Sequence, residues 1–186
     1  MVRLALFPTA VGPCGIAWRG DAVVATHLPD ARPEDTARRL AARTGGREGA
    51  PPPAIRDAIA TIAALLRGEG ADLDAVLVDM EGVDPFAARV YAAARAVPPG
   101  ATTTYGAIAA GLGDRHLARA VGRALGRNPL PILVPCHRVL GAGGRLTGFS
   151  AAGGVALKLR MLAAEGARVG GAPGLFADLP MRVGPR

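Results

Sequence analysis

The sequence predicts an α+β fold: a small N-terminal antiparallel sheet with helices, then a mostly helical C-terminal part built around a helix-turn-helix. Three observations lead there. Short apolar runs broken by Gly-Pro and Gly-Asp turns fill the first 27 residues, as hairpin strands do. Apolar residues at helical spacing follow between residues 33 and 67. Beyond residue 84, capped helical segments dominate, two of them joined across a tight turn at Gly113.

In chain order, Val2 to Phe7, Gly15 to Arg19 and Ala22 to His27 read as three strands. Pro33, followed by Glu34 and Asp35, opens a helix to about Arg43, since proline suits the first turn and acids offset its dipole. A Gly/Pro-rich loop covers 44–53. The next helix spans Ala54 to Arg67, with Ile55, Ile59, Ile62, Leu65 and Leu66 on its buried face. Ala75 to Met80 reads as a further strand. Asp84 caps a helix that begins at Pro85 and buries Phe86, Val90 and Ala94, ending at Pro98-Pro99-Gly100. Thr102 to Leu112 and Asp114 to Arg127 form the helix-turn-helix. A last helix, about Val155 to Glu165, stops at Gly166. The Gly/Pro-rich tail beyond it is expected to fold back or fray. A boundary near Pro85 divides the chain into an N-terminal α+β module, 1–84, and a C-terminal module, 85–186.

The chemistry concentrates in Leu130 to Leu140, LPILVPCHRVL. Ile132 to Val134 has the branching of a short buried strand, and Pro135 stops it. Cys136, His137 and Arg138 follow at once. A thiol attacks as its thiolate, and a nearby base or cation increases that fraction. Taken alone, the pair reads more readily as a buried cysteine serving as a small apolar residue, with His137 and Arg138 at a loop mouth; the surrounding segments reverse that reading.

Charge is divided along the chain. Residues 1–85 hold nine arginines against twelve acids, a net of −3. Residues 86–186 hold thirteen basic residues against three acids, a net of +10. A composition biased uniformly toward arginine would load both halves, so the asymmetry points to a polyanion partner for the second. Arg115, Arg119, Arg123 and Arg127 recur every four residues along the second helix of the helix-turn-helix, beside the small residues Ala118, Ala120 and Gly122. Two distant cysteines make no disulfide framework and fit a reducing cytoplasm. The apolar opening is interrupted by Pro8, Gly12, Pro13 and Gly15, which argues against a signal peptide, and no stretch reads as a membrane span.

Four ordered segments, PPGATTTYGAIAAGL from Pro98, ARAVGRALGRNPLPILVPCHRVL from Ala118, GGRLTGFS from Gly143 and KLRMLAAEG from Lys158, resemble the O6-alkylguanine-DNA alkyltransferases. The resemblance is close over the C-terminal half and holds in outline before it. It implies direct transfer of an alkyl group from O6 of guanine, and from O4 of thymine, to Cys136, once per molecule because a thioether is not readily released. It implies that His137 takes the thiol proton through a water, since neighbouring side chains on an extended segment point apart. Glu165 orients His137, and Asn128 ties the recognition helix to the active strand. Tyr105 and Ser150 donate hydrogen bonds to the base, while Val139 and Pro131 line its pocket.

The resemblance further implies that Arg119 fills the space of a nucleotide flipped into that pocket from the minor groove, with Arg115, Arg123 and the small residues Ala118, Ala120 and Gly122 against the duplex. The implied partner is double-stranded DNA containing alkylated guanine, bound without regard to sequence by a monomer, with no cofactor and no membrane. Some relatives hold zinc near the N-terminus, but Cys14 and His27 are too few for a four-ligand site. Phe149 replaces a common tyrosine, and the Ser150 to Gly154 loop is two residues longer than in some relatives, which bears on the alkyl groups admitted. Two other readings stay open: a non-catalytic reader of alkylated DNA, and a cysteine-dependent hydrolase.

Overall fold

A computed structural model describes residues 1–167; the expected behaviour of the tail concerns residues outside this range. Strands β1 (Arg3–Phe7), β2 (Cys14–Arg19) and β3 (Ala22–His27) form an antiparallel meander. A two-residue strand, β4 (Arg47–Glu48), joins β1 in parallel and gives the sheet order β3-β2-β1-β4. The 44–53 loop therefore contributes an edge to the sheet, though two residues leave no periodicity to read.

Helix α1 (Pro33–Thr44) begins at the expected proline and ends at Gly45, whose φ of 64° closes the helix in the left-handed region. Helix α2 (Pro53–Leu66) buries Ile55, Ile62, Leu65 and Leu66 fully and Ile59 in part. The expected strand at Ala75–Met80 is absent. It is reduced to one bridge, Val23 to Val78, held by the Val23 amide on the Leu77 carbonyl and the Asp79 amide on the Val23 carbonyl. Asp72 and Asp79 instead accept the amides of Asp74 and Glu81, so aspartate-centred turns replace a ladder on both sides.

In the second half, Asp84 accepts the Phe86 and Ala87 amides and starts α3 (Pro85–Arg95). Strand β5 (Thr103–Thr104) precedes α4 (Tyr105–Gly111), which Thr104 caps. Asp114 caps a 3-10 turn at Arg115–Leu117, and α5 (Ala118–Gly126) continues from it. The expected single helix from Asp114 to Arg127 is thus two pieces, and Arg115 lies outside the α-helical part. Strand β6 (Val139–Leu140) pairs in parallel with β5, and α6 (Gly154–Ala164) closes the described fold.

One core runs through both halves. Phe7, Ile16, Trp18 and Val23 of the sheet belong to the same buried cluster as Ile62, Leu66, Val90, Tyr91, Leu125, Leu133 and Met161. The Tyr91 hydroxyl donates to the Ala124 carbonyl at 2.9 Å, which pins α5 against α3. Among the described residues, no helix is long and apolar enough to cross a membrane.

Candidate active site and nucleic-acid interface

The run Ile132–Val134 is not a strand. It is a buried turn in which the Val134 amide donates to the Leu130 carbonyl at 2.7 Å, and Ile132 takes a φ of 79°. Pro129 and Pro131 flank the turn and carry no amide hydrogen, which weakens any ladder. Asn128 supplies what a ladder would. Its amide nitrogen donates to the Val134 carbonyl and its oxygen accepts the Leu130 amide, each at 2.9 Å. A branched residue at positive φ costs roughly 1–3 kcal/mol. Full burial of the Ile132 side chain returns about as much. The N-terminal sheet steadies the same turn, because the Thr26 amide donates to the Pro129 carbonyl and Arg43 reaches that carbonyl from α1.

Cys136, His137 and Arg138 form a 3-10 turn rather than an extended segment, so the expectation that their side chains alternate does not hold. The strand lies after them: β6 pairs Val139 with Thr103 and Leu140 with Thr104. Tyr105 follows β5 directly, and this two-residue ladder therefore sets its backbone beside the Cys136 turn. The Tyr105 hydroxyl accepts a long bond of 3.4 Å from Thr147.

Behind the half-buried cysteine is a fully buried set of polar groups. His137 Nε2 lies 2.9 Å from Glu165 Oε1, and Arg138 grips the same carboxylate with two bonds of 2.8 Å. Arg138 also donates to the Val97 carbonyl. Burial pushes the Glu165 carboxyl up, but the hydrogen bonds from His137 and Arg138 outweigh it and hold the group at about 2. Glu165 is therefore a carboxylate and can only accept, so His137 carries its proton on Nε2. Nδ1 keeps its lone pair and has no hydrogen-bond partner among the described residues. Burial also lowers the His137 imidazole, against Glu165, so it rests neutral near pH 7.

The end of α6 is approached closely by two loops. Gly100, at a φ of 79°, passes so near that a Cβ there would sit 3.0 Å from the Glu165 carbonyl. Gly68, also at a φ of 79°, would bring a Cβ to 2.6 Å from the Ala164 carbonyl. Both positions require glycine for conformation and for space.

For Cys136, burial raises the thiol above its ordinary value. A hydrogen bond from Asn128, the charge of Lys158 and the amides of Cys136 and His137 oppose that rise without cancelling it. The resting group is a thiol that needs a base. Cys14 is the contrast: fully buried beside the Thr9 hydroxyl, it is pushed to about 12 and serves as core. His27 bonds Asp30 at 3.0 Å.

On the outer face, Arg115, Arg119, Arg123 and Arg127 are all exposed, and none has a carboxylate partner within 4 Å among the described residues. Arginines of the first half are commonly paired, as Arg19, Arg32, Arg38, Arg39 and Arg67 are. Ala118, Ala120 and Gly122 are half-buried flanks of the arginine face, and the Tyr105 ring packs 3.8 Å from where a Gly122 Cβ would stand. A Cβ at Gly122 would therefore meet Tyr105 at ordinary contact distance. Of the expected base-contacting groups, Pro131 and Val139 lie in or beside the site turns, whereas Ser150 is exposed and its hydroxyl has no hydrogen-bond partner among the described residues.

Residues 85–167 match the family described as 6-O-methylguanine DNA methyltransferase, DNA binding domain. A methylated-DNA–protein-cysteine methyltransferase of Mycolicibacterium paratuberculosis is 44% identical over 123 residues, which are 66% of this chain and 71% of that protein. The chain belongs to this methyltransferase family. A more distant member, from Methanothermobacter thermautotrophicus, is 32% identical over 157 residues, or 84% of this chain and 81% of that one. The crystal structure of the Mycobacterium tuberculosis O6-methylguanine methyltransferase aligns with a TM-score of 0.73 at 34% identity, covering 92% of this chain and 97% of the other. The M. tuberculosis OGT in complex with DNA aligns with a TM-score of 0.71 at 34% identity, covering 88% and 92%.

Arg138 has no role legible in the sequence, yet it is the second partner of the Glu165 carboxylate. Lys158 is a second such residue: it is fully buried and donates to the Val139 carbonyl at 2.7 Å. The available signal was that Lys158 is the chain's one lysine, set among the apolar residues of α6.

Proposed function

We propose that the protein repairs DNA by moving an alkyl group from O6 of guanine, or O4 of thymine, onto Cys136 in one irreversible turnover. The observation that carries this reading is the half-buried Cys136 thiol, backed by Asn128 and by a neutral His137 whose tautomer Glu165 dictates, in a chain of this family.

The thiol proton passes to Nδ1 of His137 through a water, and Glu165 stabilises the imidazolium that results. The thiolate attacks the alkyl carbon, an S–C bond forms, and the C–O bond breaks with its electron pair on the guanine oxygen. Tyr105 and Ser150 donate hydrogen bonds to the base as that charge develops. Tyr105 passes its proton to the base and regains one through solvent, to which the His137 imidazolium gives up the proton taken from Cys136. Pro131 and Val139 border the base, with the Val139 carbonyl accepting from the exocyclic amine. The product is a thioether and a neutral guanine; a thioether is not readily cleaved by water, and the other cysteine, Cys14, is buried in the core.

Guanine O6 is inaccessible inside a stacked duplex, so the nucleotide is extruded at a cost of a few kcal/mol. Helix α5 enters the minor groove with Arg119 in the emptied position, while Arg115, Arg123 and Arg127 meet phosphates. The degenerate pattern of that groove suits a protein that acts at any sequence. The protein acts as a monomer, with 85–186 carrying binding and transfer and 1–84 bracing the Asn128 turn through Thr26 and Arg43.

The test is loss of O6-methylguanine from a duplex, measured by nucleoside chromatography. Wild type removes it; Cys136→Ala binds the duplex and leaves the methyl in place. Removal by the alanine variant would refute the reading. A reader of alkylated DNA would bind and remove nothing even as wild type.

A further inference from the structure

Helix α6 turns Leu157, Lys158, Met161 and Leu162 inward, so a lysine occupies a core position between apolar residues. Lys158 is 0% exposed. The chain otherwise uses arginine for its basic residues, which makes a single lysine at a buried site conspicuous. Its ammonium bonds the Val139 carbonyl at 2.7 Å and stands 5.9 Å from the centroid of the Phe149 ring. No carboxylate lies within 4 Å of it among the described residues. Glu165, on the same helix end, is already held by Arg138 and His137. A buried cation without a counter-ion costs several kcal/mol, so its retention calls for a compensating anion.

We propose that Lys158 is a positioning residue for the transfer step: it is the fixed cation against which the Cys136 thiolate forms, and it reaches the pocket wall through the Val139 carbonyl. This rests on Cys136 being the acceptor. The titratable and charged groups around the thiol are His137 and Arg138 on its own turn, Lys158 and Glu165 from α6 and its cap, and Tyr91 from α3. His137 is neutral at rest, and Arg138 and Glu165 neutralise one another, which leaves Lys158 as the uncompensated charge. The coupling is mutual: Lys158 favours the Cys136 thiolate, and the thiolate favours the ammonium against its own burial. A lysine suits this place better than an arginine, because a compact ammonium on a flexible stem fits a site lined by one carbonyl and one ring.

The test follows alkylation of Cys136 by iodoacetamide against pH, read by peptide mass so that Cys14 is scored separately, with urea unfolding of each variant alongside. Lys158→Met and Lys158→Gln should raise the pH midpoint by about one unit or more, and Lys158→Arg should not. Lys158→Met should also be as stable as wild type or more so, since an apolar residue of similar shape replaces a buried charge. An unmoved midpoint with lowered stability would make Lys158 a structural group only and overturn the proposal. Should the methionine variant not fold, equal midpoints for the glutamine and arginine variants overturn it too. The probe needs no DNA. A wild type that behaves as described but takes no methyl from an O6-methylguanine duplex would sink the transfer reading and leave the charge pairing intact.

Discussion

The Nε2 nitrogen of His137 lies 2.9 Å from Oε1 of Glu165, with both side chains wholly buried. Because Arg138 holds the same carboxylate at 2.8 Å, the glutamate stays ionised and the imidazole keeps one tautomer. That arrangement makes Nδ1 the proton acceptor in the reaction proposed for Cys136.

Replacing His137 with alanine should slow methyl transfer by about two to four orders of magnitude, the usual contribution of a general base. Raising the pH toward 9 should restore part of the rate, because solvent then ionises the thiol that burial holds protonated. A variant whose single-turnover rate stays flat over that range would remove His137 from the proton path.

Glu165 links the site to acid stability. Its folded value is depressed from 4.5 to about 2, so the unfolded chain takes up a proton there first as the pH falls. The stability it contributes, on the order of 3 kcal/mol, is present above pH 4.5 and is lost as the pH falls toward 2. The lowered His137 acts in the same direction below 6.5, since the unfolded imidazole protonates first. In urea unfolding, the gap between wild type and Glu165→Gln should be widest near pH 7 and close through the acid range. A constant gap would mean that Glu165 titrates alike in both states.

Arg119 and its neighbours should separate into two behaviours. Replacing Arg115, Arg123 or Arg127 should weaken binding to any duplex and flatten its salt dependence, as expected of phosphate contacts. Arg119→Ala should slow repair of a duplex far more than it weakens binding, and should matter little for free O6-alkylguanine base, which needs no extrusion. A fluorescent analogue opposite the lesion reports the flip. Equal loss on base and duplex would assign Arg119 to the pocket or the fold.

Much of this architecture is legible in the residues themselves. Asp84 with Pro85, Asp114 after Gly113, and Gly166 after Glu165 mark helix ends by local chemistry, and each stands where that chemistry puts it. What escaped was non-local. The Ile132 turn has the composition of a strand, and its conformation depends on Asn128 bonding across it and on Thr26 from over a hundred residues away. Strands β4, β5 and β6 have two residues each, too few to show a period, yet β5 and β6 set Tyr105 against the cysteine turn. The basic half shows in the charge balance, but the pairing of individual arginines depends on contacts across the fold, such as Arg19 with Glu81. Arg138, which follows Cys136 and His137 and has no assigned role in the sequence, is spent on Glu165.

The central claim is one acceptor used once. Duplex carrying O6-methylguanine is titrated against a fixed amount of protein, and the methyl count per chain is read by intact mass and then located by peptide mapping. The account predicts a plateau at about one methyl per chain, on Cys136 and not on the buried Cys14, with no further demethylation of DNA once the plateau is reached. Continued removal beyond one equivalent, or label on Cys14, would contradict it.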